Sequence, residues 1–84
     1  MVKRFVKGKL YTLCLLFVDG NGEIITYSLN TMYKGNVKGV AEFNTTEETV
    51  HWDKENNICW ITDTETDTVL CFRRLVNVVA GWQF

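Results

Sequence analysis

Residues 9–29 read KLYTLCLLFVDGNGEIITYSL. An apolar run from Leu10 to Val18 meets the turn cluster Asp19-Gly20-Asn21-Gly22, and a second β-rich run follows from Glu23 to Leu29. The cluster supplies residues that tolerate positive φ in a tight reversal, so the stretch reads as a β-hairpin. Leu10, Cys14, Leu16 and Val18 share one face of the first strand, and Tyr11, Leu13, Leu15 and Phe17 the other. A strand that is apolar on both faces wants cover on both. The cover can come from a closed barrel, a helix or a second subunit. In the second strand Ile25, Tyr27 and Leu29 oppose Ile24, Thr26 and Ser28, which predicts an amphipathic strand.

The same hairpin disposes of two competing readings. Lys3, Arg4, Lys7 and Lys9 before an apolar run resemble the start of a secretory leader, but a charged turn follows in place of a small-residue cleavage site. The run is also too short to span a bilayer. A cytoplasmic protein is expected. Asp19 and Asn21 have the first spacing of a calcium loop, but the later acidic ligands are missing.

Outward from the hairpin, a short edge strand is expected around Arg4–Val6. Asn30–Asn36 reads as a loop or one helical turn, and Val37–Asn44 as a third strand with Gly39 at a bulge. Thr45 and Glu48 have capping-box spacing, so a short helical turn is expected within Thr45–Val50. Val50–Asp53 makes a brief strand. Ile58–Thr62 and Thr68–Arg73 flank the hydrophilic turn Asp63–Asp67 as a second hairpin. From Arg74 onward the pattern fits a helix, but the valines favour a closing strand. The prediction is one domain over residues 1–84. It is mainly β, a small antiparallel barrel or strongly curved sheet of five or six strands with at most one short helix. The alternative is α+β with a C-terminal helix.

The chain has 84 residues and a net charge of −1, with 46% hydrophobic and 23% charged residues and no proline. That apolar content argues against disorder. Residues 1–40 carry six basic and two acidic side chains, and residues 41–84 carry three and eight. Unless hairpin packing interleaves them, the surface is polarised. No basic excess of the kind used against phosphate backbones is present. Cys14, Cys59 and Cys71 are odd in number and sit in apolar runs, which suits reduced, buried thiols.

His51 is the single histidine. Nothing in the spacing assembles it with Cys59 or Cys71 into a nucleophile–base pair or a metal site. No catalytic residue, metal or cofactor is predicted. Trp60 is assigned to the core. The candidate binding residues are Trp52, Arg73, Arg74, Tyr33 and Lys34, because aromatic and arginine side chains dominate binding hot spots and can also grip anionic ligands. Val37-Lys38-Gly39-Val40, Ile58–Asp63 and Phe72-Arg73-Arg74-Leu75-Val76 together resemble the strand order of Sm-like RNA-binding barrels. The long insertion Asn44–Asn57 and the lack of an Arg-Gly signature depart from that family, so none of its sites is carried over.

The expected function is that of a small stand-alone interaction protein, a modulator or inhibitor of the viral or mobile-element accessory kind. It would bind a protein partner through a β edge or an aromatic-charged patch. The alternatives are a homo-oligomeric binder of a nucleotide or other small anion, and a nucleic-acid-binding barrel.

Overall fold

A computed structural model of the chain describes residues 4–82. Six strands are present: β1 (Leu10–Val18), β2 (Ile24–Val37), β3 (Val40–Asn44), β4 (Glu48–Asp53), β5 (Ile58–Asp63) and β6 (Val69–Ala80). Each pairs antiparallel with the next, and β6 pairs with β1 to close the ring. The fold is an all-β meander barrel with no helix among the described residues.

Pleat alternation decides what fills the barrel. Tyr11, Leu13 and Leu15 of β1 turn inward, facing Thr31, Leu29 and Tyr27 of β2 across the ladder. Phe43, Val50, Ile61 and Cys59 continue the core round β3, β4 and β5, and Leu75 and Val78 complete it from β6. Each fully buried Leu, Val or Phe contributes roughly 1.5–3 kcal/mol relative to exposure. Register shifts at Cys14/Leu15, Tyr33/Gly35 and Ile61/Thr62 bend the strands, and six strands need that curvature to close.

The first hairpin forms as expected, by a specific device. Asp19 Oδ1 accepts from the amides of Asn21 and Glu23 at 2.8 and 2.9 Å. Gly22 takes φ 79°, while Gly22 N donates to Asp19 O and Asp19 N to Glu23 O. This is a three-residue loop with a glycine bulge.

Several local expectations are corrected. Asn30–Asn36 is neither loop nor helix but the second half of the 14-residue β2. Its ladder with β3 and the bond from Tyr33 N to Lys9 O override the turn preference of Asn, Lys and Gly. The third strand therefore starts at Val40, and Lys38-Gly39 is a turn with both residues at positive φ, 52° and 83°. Two central residues at positive φ favour Asn-Gly. Lys38→Asn is expected to raise the unfolding free energy by roughly 0.5–1 kcal/mol, read as a higher urea midpoint at unchanged m.

Thr45 caps a hairpin turn and starts no helix. Its hydroxyl accepts from Glu47 N and Glu48 N at 3.3 and 3.0 Å, and its own amide donates to Glu48 O. The capping spacing is thus spent on reversing β3 into β4, which begins at Glu48. The last segment is a strand to Ala80, so the helical alternative falls.

Arg4–Val6 is not a strand. Its job is to close one end of the barrel. The Phe5 ring lies 5.1–6.2 Å from the ring centroids of Phe43, Tyr33, Tyr11 and Trp52, and Val6 N donates to the Tyr11 hydroxyl at 2.7 Å. At the other terminus Gly81 N donates to Leu10 O at 2.8 Å. Trp82 then lies back on β2, its indole N–H on Thr31 O at 2.9 Å.

Candidate functional site

Opposite the Phe5 plug, β1 and β6 part company. Their pairing ends at Leu16↔Arg74, while β1 runs on to Val18 and β6 begins back at Val69. Between them opens a shallow cleft of about 380 Å3 lined by Leu16, Phe17, Val18, Phe72, Arg73 and Arg74. Alternation sends Arg73 inward and its neighbours Phe72 and Arg74 outward. The Arg73 guanidinium carbon sits 4.0 Å from the Phe17 ring centroid and 5.8 Å from that of Tyr27. Its Nε donates to the Tyr27 hydroxyl and its Nη1 to the Phe72 carbonyl, both at 2.9 Å.

Arg73 is half-buried, and its acceptors are neutral. Among the described residues the single contact between a basic and an acidic side chain is His51 Nδ1 to Glu42 Oε2 at 3.5 Å, so neither Arg73 nor Arg74 has a carboxylate there. Stacking on two rings favours the cation by about 1 kcal/mol. A partly desolvated guanidinium without a counter-ion still attracts an anion. Arg74 is exposed beside it, and Phe72 is 65% exposed. Val18, which also lines the cleft, is 60% exposed. The rim therefore offers two unpaired arginines in an apolar surround.

The five residues selected from sequence do not form one site. Arg73 and Arg74 meet in the cleft, although Arg74 lies within β6 and not at a strand end. Trp52 and Tyr33 are core residues, 6% and 7% exposed, in the Phe5 cluster at the far end. Tyr33 also donates its hydroxyl to Asn36 Oδ1. Lys34 is exposed near Lys7, Asn36 and Glu42, away from Arg73. Phe17, Tyr27 and Phe72 were missed. Phe72 directly precedes the arginine pair, and Phe17 continues the inward series Tyr11, Leu13, Leu15.

Trp52 and Trp60 exchange the roles expected of them. Trp52 pairs with Cys59 on the inner face, and Trp60 pairs with His51 on the outer. The His51 and Trp60 rings stack at 5.0 Å and 3°. His51 Nε2 meets Thr62 Oγ1 at 2.8 Å. The resulting Glu42–His51–Thr62 line has the residue types of a nucleophile relay. However, the Thr62 residue is 3% exposed, so its hydroxyl is withheld from substrate. His51 and Cys59 point to opposite faces. Burial, with Cys71 nearby, pushes the Cys59 thiol up to about 12 against a smaller opposing pull from Arg73, so it stays protonated near neutrality.

The Trp52 indole N–H is buried and has no acceptor among the described residues. Trp52→Phe gains stability by removing that orphan donor and loses some by giving up apolar area, and the two nearly offset. Urea unfolding of Trp52→Phe is expected to shift stability by about 1 kcal/mol or less, against about 3–5 kcal/mol for Trp52→Ala.

The chain matches no protein-family model, no curated protein and no solved structure. Among the described residues no helix is long and apolar enough to cross a membrane.

Proposed function

We propose that the protein is a binding module rather than an enzyme, and that it grips a partner protein at the β1–β6 rim. The cleft would receive a segment that sets a carboxylate beside apolar side chains. The carboxylate meets Arg73 and Arg74, and the apolar neighbours cover Phe72, Leu16 and Val18. One observation carries this reading: a half-buried arginine, held on Phe17 and Tyr27, has no carboxylate partner among the described residues and stands beside a largely exposed phenylalanine. Aromatic and arginine side chains in apolar surrounds are the usual anchors of protein interfaces.

The same unpaired arginine favours a second reading, a binder of a nucleotide or other small anion. The two separate in one pair of measurements. Selection of a displayed peptide library on the protein, with Arg73→Met as counter-target, should enrich sequences in which Asp or Glu adjoins Leu, Ile or Phe. Inorganic phosphate and ATP should leave the melting temperature unchanged. A rise of several degrees with either, and no peptide consensus, would move the site to the small-anion reading. Salt-sensitive retention on nucleic acid that is lost in Arg73→Met would move it to the third alternative, a nucleic-acid-binding barrel.

A further inference from the structure

Ring closure leaves lengths of strand edge open on β2 and on β6; the β6 length, residues 74–80, carries Arg74 and a register shift, and the β2 length carries neither a charge nor a shift. β2 is 14 residues long, and it pairs with β1 from Ile24 to Met32 but with β3 only from Met32 to Val37. On the side away from β1, residues 24–29 therefore face no strand among those described. The direction of the backbone groups follows from the register. Asp19 N bonds Glu23 O at one end of the β1–β2 ladder, and Tyr33 N bonds Lys9 O at the other. The odd-numbered residues of β2 thus exchange hydrogen bonds with β1. Ile24, Thr26 and Ser28 aim their N–H and C=O groups at the open side.

Natural edges of this kind are guarded by lysine, proline or a bulge. This one has none of them. Ile24-Ile25-Thr26-Tyr27-Ser28 carries no charge and no proline, and no register shift interrupts its ladder with β1. Ile24 is 67% exposed, and Thr26 and Ser28 are exposed as well.

We infer that this edge pairs with the same edge of a second copy of the chain, joining the two barrels through an antiparallel β2–β2 ladder about a two-fold axis at Thr26. The register is self-consistent. Thr26 meets its own equivalent, and Ile24 of one copy stands opposite Ser28 of the other. All three have their backbone groups on the open side, so each finds a matching donor and acceptor. Glu23, the nearest charged residue, falls opposite Leu29, so no like charges face each other. The β-branched Ile24 and Thr26 suit such pairing, and a two-fold interface built from one self-complementary patch is the commonest form of homodimer. This edge lies on β2 and does not depend on the proposed rim site.

The test is sedimentation velocity with light scattering on the intact chain, from low micromolar to submillimolar concentration. The expected result is a concentration-dependent doubling of the 9.7 kDa mass. Thr26→Lys places two ammonium groups side by side at the axis. Thr26→Pro deletes an edge donor but spares the β1 ladder, because that N–H points away from it. Both variants should keep the wild-type circular dichroism spectrum and weaken association at least tenfold. A wild-type chain that stays monomeric over the whole range would overturn the inference, as would a dimer that survives Thr26→Lys.

Discussion

Phe43→Ala is expected to lower the unfolding free energy by about 3–5 kcal/mol, the usual loss for emptying a buried phenylalanine site. Phe43 is fully buried and packs against three rings, those of Phe5, Tyr33 and Tyr11, at 5.1, 5.2 and 6.2 Å. It is the member of the aromatic cluster least able to be replaced by solvent. A domain of this size holds roughly 5–10 kcal/mol in all, so the loss removes a third or more of its stability. Urea unfolding followed by tryptophan fluorescence should show a much lower midpoint with m unchanged. Phe5→Ala should cost less, because Phe5 lies outside the strand ring and every ladder survives its loss. The double variant reports the coupling of the two rings, expected at about 0.5–1.5 kcal/mol. Strict additivity would mean that Phe5 covers the barrel end without stabilising Phe43.

Arg73→Met has the second large effect, and it falls on binding. A hot-spot arginine is worth about 2 kcal/mol or more, roughly a 30-fold loss of affinity for any carboxylate-bearing peptide selected on the rim. The free protein should hardly notice. Methionine keeps an apolar stem on Phe17 and Tyr27. The lost cation–π contact and hydrogen bonds are offset by relief of a partly desolvated charge, so stability should change by no more than about 1 kcal/mol. Arg73→Lys keeps the charge but loses the planar fork and the stacking. It should bind between the two. A large loss of stability in Arg73→Met with no change in peptide affinity would make Arg73 a structural lid and refute the proposed site.

What the sequence made legible follows from where its signals are unambiguous. The faces of β1, the turn at Asp19–Gly22 and the hairpin over residues 58–73 are all carried by alternation or turn chemistry. The final strand followed from its valines. The second half of β2 was hidden because Asn30, Lys34, Gly35 and Asn36 are turn formers. They form strand here because Lys9 and β3, brought alongside by the two hairpins that flank β2, supply the partners. In β4, Val50 and Trp52 share a parity distinct from His51, so Trp52 could have been placed inside. In β5 both parities are apolar, and nothing local says that Cys59 and Ile61, rather than Ile58 and Trp60, face the core. The rim site was half legible: two adjacent arginines were visible, but the rings beneath them lie on strands more than forty residues away in sequence.

The ring also has a single seam. Five of its six ladders join strands that are neighbours in the chain, and only β1–β6 brings Tyr11 to Ala80. Five hairpins can zip from their own turns without long loop closure. The sixth ladder must wait until both ends of an already curved sheet swing together, which places the protein among the slower, non-local folders. Because Gly81 bonds to Leu10, a short linker could join those ends and the chain could be cut anew at the 54–57 turn. In that permutant the seam becomes a local hairpin, and the ladder between β4 and β5 inherits the waiting step. Refolding rates of the two connectivities would show which closure sets the pace.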